Sequence, residues 1–167
     1  MTATFENHGP PVSGEQVDAF ERTLPAALPA DYRQFLLEQN GGTTALLWWP
    51  PEAGGFEFDV AHLHSLGDVE MYQSLSVVRK AFSDTLPSVF LIVGSDQGGA
   101  KVCLSLQAED HGAVWFYDPD LEFDPSEPAD PDLLRPVCAS FTVLLETLEP
   151  EPDFDEAERR IAAARAG

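Results

Sequence analysis

The stretch LPADYRQFLLEQNGG at residues 28–42 contains a helix signal and signals for both ends of that helix. Its apolar face follows the i, i+4, i+7, i+8 spacing of an α-helix and comprises Leu28, Tyr32, Phe35, Leu36 and Gln39. Pro29 and Asp31 suit the first turn, where no amide donor is needed and the helix dipole favours negative charge. Asn40-Gly41-Gly42 is expected to end the helix, because glycine adopts the left-handed conformation at little cost. By themselves these residues predict a buried, well-capped amphipathic helix.

The N-terminal side of this stretch predicts another helix. Ser13 followed three positions later by Gln16 is the pattern of a capping box. The apolar side of the helix would carry Val17, Phe20 and Leu24. Residues 1–12 are expected to form a flexible lead.

The middle of the chain predicts an antiparallel sheet. Residues 43–49 are apolar and β-prone, and residues 56–60 alternate between apolar and acidic side chains, as in a half-buried strand. Residues 89–94 are a continuous apolar run, and residues 101–106 alternate again. Between them, Asp96-Gln97-Gly98-Gly99 suits a hairpin turn, because glycine supplies the positive φ angles that such turns need.

A helix is predicted at residues 69–82 and a further strand at residues 113–117. Residues 118–136 then contain five prolines and seven acidic residues, with no basic residue before Arg135. This composition buries too little apolar surface to order itself, so we expect an irregular acidic excursion there.

The C-terminal part predicts two helices. Ser140 is a suitable N-cap for a helix through residue 148. Beyond two prolines, Asp153 with Glu156 again has the pattern of a capping box. Residues 149–167 are therefore expected to form a helical appendage that packs weakly on its own domain or swaps between chains.

Taken together, these segments resemble the SUKH superfamily, which includes fungal cell-wall-synthesis regulators and many bacterial immunity proteins that neutralise toxins. Glu21 and Leu24 precede Leu28-Pro29 at the spacing of the superfamily. Three further segments resemble its central hairpin, next strand and closing helix, namely FLIVGSDQGGAKVCLSL at 90–106, VWFYD at 114–118 and SFTVLLETL at 140–148. The resemblance implies a single α+β domain over residues 13–148, with a mainly antiparallel sheet and helices packed on one side.

The charge balance limits the classes of partner. The chain has 29 acidic and 9 basic residues, for a formal net charge of −20. The negative electrostatic field of such a protein repels phosphate backbones and anionic lipid, so we expect no direct nucleic-acid or membrane binding. A cationic protein partner is favoured. The alternative is that the acidity only keeps the protein soluble or reflects a salt-rich habitat.

Several features indicate a cytoplasmic protein. The N-terminal residues lack the basic and apolar regions of a secretory signal, and nowhere do 18 apolar residues follow one another. Cys103 and Cys138 are the two cysteines. Without a signal they suggest a reducing compartment, in which each is a small core residue rather than half of a disulfide.

Patterns that would indicate catalysis or a metal are weak. GSDQGGAK at 94–101 lacks the Gly-Lys pair and the following Ser or Thr of a phosphate-binding loop. His62 and His64 would share a strand face, but a structural zinc needs four ligands, so we expect ordinary histidines. Acidic residues alternate after Tyr117, yet no glycine offers the sharp turn of a calcium loop. We therefore predict no enzyme activity, no cofactor and no metal.

Aromatic and acidic residues are the better candidates for binding a partner. Trp48 and Trp49 are adjacent in a predicted strand, so their side chains point to opposite faces. If one face is uncovered, an indole is available to anchor a partner. If helices cover both faces, the two are core residues. The candidate partner-binding residues are Trp48, Trp49, Glu57, Asp96, Asp118, Asp120, Glu122 and Asp124.

The resemblance implies a function for this surface. We expect a non-enzymatic immunity or inhibitor protein that binds and neutralises a basic toxin domain, such as a nuclease. The alternative, suggested by the fungal relatives, is an intracellular regulatory scaffold that binds several partners through its tails.

Overall fold

The computed structural model describes residues 3–118 and 133–167. Its helices and strands, in chain order, are β1 (Phe5–Glu6), α1 (Gly14–Glu21), α2 (Ala30–Glu38), β2 (Thr43–Thr44), β3 (Leu46–Trp49), α3 (Pro51–Gly54), β4 (Phe58–Asp59), β5 (His62–Leu63), a 3₁₀ helix (Met71–Gln73), α4 (Leu75–Ala81), β6 (Phe90–Ser95), β7 (Lys101–Ser105), β8 (Val114–Tyr117), β9 (Leu134–Cys138), α5 (Phe141–Thr147), β10 (Glu149–Pro150) and α6 (Phe154–Ala166).

A five-stranded antiparallel sheet forms the centre of the molecule, in the order β5-β6-β7-β8-β9. The predicted hairpin is confirmed, since β6 and β7 pair across the turn that contains Asp96 and Gly99. Gly99 has a φ of 97°, the left-handed conformation that favours glycine. The α+β class and the antiparallel pairing are therefore as predicted.

Both faces of this sheet are covered by helices. The alternation in β7 places Val102 and Leu104 in the main core with α1, α2 and α5, and places Cys103 in a second cluster on the other face. Helix α4 covers that second face through Val78. The predicted placement of the helices on one side is thus wrong for α4, because the strands are apolar on both faces and each face needs a cover.

Helix α2 contributes most of its predicted face to the core. Tyr32, Phe35 and Leu36 are buried, and the Tyr32 and Phe35 rings contact Phe141 of α5 with ring centroids 5.0 Å apart. Gln39 is exposed, contrary to the expectation from its spacing, because α2 ends at Glu38.

Asn40 joins α2 to two distant segments. It takes the left-handed conformation with φ 52°, one position before the glycines that were expected to do so. Its amide nitrogen donates to the carbonyls of Pro10 (2.7 Å) and Leu66 (2.9 Å), and its amide oxygen accepts from the Leu66 amide (2.9 Å). Gly41 then passes so close to the backbone at Leu63 that an added Cβ would lie 2.7 Å from its carbonyl oxygen.

The N-terminal residues are held against the domain. Phe5–Glu6 pair with Thr43–Thr44, and the Gly9 amide donates to the Asn40 carbonyl at 2.9 Å. These contacts give the polar backbone of residues 5–9 partners at and just after the end of α2. The flexible lead expected for residues 1–12 stays a prediction. The predicted domain boundaries at 13 and 148 stay a prediction.

A second, three-stranded sheet has the order β10-β3-β4. Trp48 of β3 pairs with Glu149 on one side and Asp59 on the other. Helix α6 follows β10 and begins at Asp153, whose carboxylate accepts from the Glu156 amide at 2.9 Å. The C-terminal segment is therefore joined to the domain by a strand as well as by a helix.

Two predicted segments differ in detail. The helix expected at 69–82 is a 3₁₀ turn at Met71–Gln73 followed by α4, whose N-cap Ser74 accepts from the Val77 amide. The end of the acidic excursion expected at 118–136 is part of β9, where Leu134 pairs with Tyr117. Strand β8 supplies the backbone partners that local composition does not reveal.

Candidate functional site

The two adjacent tryptophans of β3 point to opposite faces, and both are buried. Trp49 is 1% exposed and stacks on Phe58, while Gly54 of α3 lies beside its indole nitrogen. Trp48 is 6% exposed. Helices thus cover both faces of β3, and neither indole is available for the first contact with a partner.

Arg160 of α6 is the group that covers Trp48. Its guanidinium lies 4.7 Å from the indole centroid. It also donates to both carboxylate oxygens of Glu52, at 2.8 and 3.0 Å, and forms an ion pair with Glu149 at 2.5 Å. Bidentate binding of this kind is specific to arginine and orients α6 on α3 and β10. We call Arg160 together with Glu52 and Glu149 the clamp.

A second set of carboxylates lies near the β6–β7 turn. We use the term acidic edge for Glu57, Asp59, Asp96, Asp118 and Glu151. Asp59 accepts from the Gln97 amide at 3.0 Å, which fixes it beside the β6–β7 turn. Burial, together with the nearby charges of Asp96 and Glu151, raises the pKa of Asp59. The hydrogen bond from Gln97 lowers this pKa but does not outweigh the burial.

The structure brings some of the predicted binding residues to this edge. Asp96 lies in the β6–β7 turn, where its carboxylate accepts from the Ala100 amide at 2.7 Å. Asp118 follows β8 directly and lies at the same end of the sheet, because Tyr117 pairs with Lys101 at the start of β7. Glu57 lies two residues before Asp59. Three further predicted residues lie outside the described residues, namely Asp120, Glu122 and Asp124.

A cleft of about 880 Å³ opens next to Asp96, between the sheet and the segment that carries the 3₁₀ helix and α4. Its rim includes Met71 and Tyr72, which are 72% and 68% exposed. Its apolar wall is formed by side chains of α4 and the following turn, namely Val77, Val78, Ala81 and Phe82. Polar groups of β5, β6 and β7 form the floor.

Three polar side chains are linked on this floor. The Ser95 hydroxyl lies 3.0 Å from His64 Nε2 and 3.1 Å from Lys101 Nζ. The Lys101 ammonium has only donors, so it donates to Ser95 Oγ. It also lies 5.2 Å from the Phe82 ring centroid, in a cation–π contact. His62 adds a second imidazole, 5.4 Å from that of His64 between ring centroids.

Burial shifts the protonation of these groups towards the neutral forms. Burial lowers the pKa of His64 to about 3, and the neighbouring His62 and Lys101 act in the same direction. Burial also lowers the pKa of His62 and that of Lys101, although the charge of Asp96 opposes the shift of Lys101. At neutral pH both imidazoles are uncharged, which leaves Lys101 as the cation of the floor.

Comparison with family models identifies the fold. The model described as the SMI1 / KNR4 family (SUKH-1) matches residues 11–147. The chain belongs to this family. Curated proteins gave no match to the chain.

The SUKH-1 family includes immunity proteins, which are generally non-catalytic. The resemblance drawn from the sequence is therefore confirmed. The matched region begins before α1 and ends with α5, so α6 lies outside it. Part of the acidic edge, Glu151, also lies outside the matched region.

Within residues 3–118 and 133–167, no group of three or more His, Cys, Asp or Glu side chains is placed to hold a metal ion. No helix in those same ranges is long and apolar enough to cross a membrane. Both cysteines are free, and burial raises the pKa of Cys138 to about 11, so this thiol is protonated at neutral pH.

Sequence reasoning missed the floor of the cleft and one residue of the acidic edge. Asp59 was treated only as the polar position of an alternating strand. From the sequence, Lys101 is only the first residue of an alternating strand, and Ser95 falls between the predicted strand at 89–94 and the turn that begins at Asp96. The sequence contains a signal for Lys101, because Lys101 shares a β7 face with Cys103 and Ser105. A lysine on a buried strand face is rare unless its ammonium has a partner.

Proposed function

We propose that this SUKH-1 protein is a non-enzymatic immunity protein that binds and neutralises a basic toxin domain through the acidic edge. The observation that carries the proposal is the placement of Asp59, held by the Gln97 amide, close enough to Asp96 and Glu151 for their charges to act on it. Carboxylates repel one another in the free protein, so the binding of a cationic partner lowers their electrostatic free energy the most where they are close together.

The contrast with the neighbouring clamp supports this choice of surface. Glu52 and Glu149 are neutralised by Arg160 within the chain. Among the described residues, Glu57, Asp59, Asp96 and Glu151 form no ion pair. Their charge is therefore available to a partner.

The mechanism requires recognition only. The net charge of −20 steers a cationic domain towards the protein, and such steering raises association rates to roughly 10⁸–10⁹ M⁻¹ s⁻¹ at low salt. Once docked, the partner covers the acidic edge and is blocked by occupancy. Met71 and Tyr72 on the adjacent rim belong to residue types that are enriched in interfaces, and we include them in the docking surface.

The test is a binding series with basic toxin domains, such as nuclease domains, over a range of salt concentrations. Neutralising the edge in the triple variant Asp59→Asn, Asp96→Asn, Glu151→Gln keeps the side-chain acceptors for the Gln97 and Ala100 amides. We expect the association rate at low salt to fall at least tenfold, and its dependence on salt to become shallower.

The matched control removes three charges elsewhere. Glu109→Gln, Glu146→Gln and Glu158→Gln change exposed residues whose side chains make no hydrogen bond or ion pair among the described residues. This variant has the same net charge and should keep most of the association rate. Equal losses in both triple variants would show that net charge alone, and not the acidic edge, is recognised.

The same assay distinguishes the proposed immunity function from the alternative, a regulatory scaffold. A regulatory scaffold that works through its tails predicts that binding survives in the edge variant and is lost when residues 150–167 are removed. Absence of binding to any basic toxin domain across the salt series would overturn the proposal.

A further inference from the structure

We propose that the cleft beside the acidic edge is a binding site for an amphipathic monocarboxylate, with the carboxylate at Lys101 and the apolar body against α4. This inference goes beyond the proposed function and does not depend on it. The carboxylate belongs either to a small organic acid or to the C-terminus of a peptide, and both place the same group at the cation.

Lys101 supplies the first argument. Its ammonium group has three donors, and Ser95 Oγ accepts one of them at 3.1 Å. No carboxylate of the described residues forms an ion pair with it. The charge of Asp96 reaches Lys101 only from beyond ion-pair distance, so a carboxylate bound directly at the half-buried ammonium would add a charge-assisted hydrogen bond that the protein does not supply.

The walls supply the second argument. Val77, Ala81 and Phe82 line one side of the cleft, and Met71 and Tyr72 extend the apolar surface outward. The volume of about 880 Å³ lies in the range of about 300–1,000 Å³ that is usual for small-molecule sites. An apolar body next to one charged group therefore matches the lining better than a highly charged ligand does.

The hydrogen-bonded floor supplies the third argument. Ser95 Oγ connects Lys101 to His64, which is 2% exposed and so is fixed in the core. The network holds the ammonium at a defined place, and a preformed donor lowers the entropic cost of binding. The imidazole of His62 lines the same floor and offers a further polar contact.

One group opposes an anion at this site. Asp96 also lines the cleft, but its carboxylate accepts from the Ala100 amide and is thereby oriented by the turn. Among the described residues no other carboxylate lines the cleft, and salt at 0.15 M screens charges that are more than about 8 Å apart. Binding should therefore be measured near that ionic strength.

The experiment titrates the full chain with matched probes, followed by amide chemical shifts. The first set is 4-phenylbutyrate, its neutral analogue 4-phenylbutan-1-ol and its cationic analogue 4-phenylbutylamine. The second set is N-acetyl-alanyl-leucine and the corresponding C-terminal amide. We expect saturable shifts at Lys101, Ser95 and Tyr72, and binding of the acids at least tenfold tighter than that of their uncharged analogues.

Two variants and one control locate the site. Lys101→Met should weaken acid binding at least tenfold, while Lys80→Met, at the other lysine of the chain, should leave it unchanged. Ala81→Trp, at an exposed position on the wall, should block all probes without altering the floor and keeps the test valid if the Lys101 variant does not fold.

The outcomes are distinct from those of the toxin test. Binding of only the phenyl acid, or only of the peptide acid, supports the site and identifies the source of the carboxylate. Acids that bind no tighter than the alcohol or amide would overturn the proposal. Acid binding that is unchanged in both Lys101→Met and Ala81→Trp would also overturn it.

Discussion

Asn40 shows how one side chain can connect three segments of a SUKH-1 domain. It is 2% exposed, and its amide bonds to the backbone at Pro10 and Leu66 on both sides. A carboxamide is the right group because it offers a donor to two carbonyls and an acceptor to one amide. Position 40 therefore fixes the N-terminal segment and the loop after β5 relative to α2.

We expect Asn40→Asp to lower the free energy of unfolding by more than about 2 kcal/mol, because a carboxylate oxygen would then face two carbonyl oxygens and leave them unpaired in the core. Urea denaturation at pH 7 measures this. Gln39→Ala, at the exposed neighbouring position, is the control and should change stability by less than about 0.5 kcal/mol. Similar stabilities for the two variants would contradict the connecting role of Asn40.

His64 predicts a dependence of stability on pH. Burial lowers its folded-state pKa to about 3, whereas an unfolded histidine titrates near pH 6.5. Between these values the unfolded state binds a proton that the folded state does not, so the free energy of unfolding falls as the pH falls.

The expected contribution of His64 is about 1.4 kcal/mol per pH unit below pH 6.5. Chemical denaturation at pH values from 7.5 to 5 measures it. His64→Gln should show a shallower loss over this range, and His8→Gln, at an exposed position, should follow the unsubstituted protein. A slope that is unchanged in His64→Gln would show that other groups cause the loss.

At the scale of elements, α6 depends on one residue for its place. Its side chains are exposed or half-buried, and none is fully buried. Its caps were predictable, since Asp153 and Glu156 are local signals. Its docking was not, because Arg160 and Glu52 lie 108 residues apart in sequence.

We expect Arg160→Ala to release α6 from β3 while leaving the rest of the domain folded. Amide hydrogen exchange should then accelerate across residues 154–166, and tryptophan emission should shift to the red as water reaches Trp48. Arg159→Ala is the matched control, because Arg159 is exposed and its side chain, within residues 3–118 and 133–167, bonds only to the Asp155 carbonyl of its own helix. Unchanged exchange in α6 after Arg160→Ala would contradict the clamp.

At the scale of the whole molecule, the net charge of −20 opposes folding by self-repulsion. Salt reduces this repulsion, since the Debye length falls from about 30 Å at 0.01 M to about 10 Å at 0.1 M. The acidic edge concentrates part of the repulsion in one place. The carboxylates of the acidic edge thus lower the stability of the free protein.

We therefore expect Tm to rise by several degrees between 0.01 and 0.3 M NaCl and then to level off. Differential scanning calorimetry measures this. Asp59→Asn should raise Tm at low salt, because it removes a carboxylate that the folded state disfavours. The further increase of Tm with added NaCl should then be smaller than in the unsubstituted protein. Glu146→Gln, at an exposed helix position away from the acidic edge, should show both effects to a smaller extent. A Tm that is independent of salt would contradict the repulsion.

The sequence by itself determined the local structure. The capping pairs at Ser13 and Asp153, the apolar face of α2 and the alternation in β7 all predicted what the structure has, because helix caps and side-chain periodicity depend on residues a few positions apart. The order of these segments also sufficed to recognise the SUKH resemblance.

Only the tertiary structure decided where the functional groups meet. Ser95 and His64 are 31 residues apart and share a hydrogen bond because β5 pairs with β6. Trp48 is buried because α6 returns to it. Each of these juxtapositions depends on strand pairing or helix docking over long sequence distances, and the free energy of such contacts is set by burial and charge in the assembled fold rather than by any local pattern.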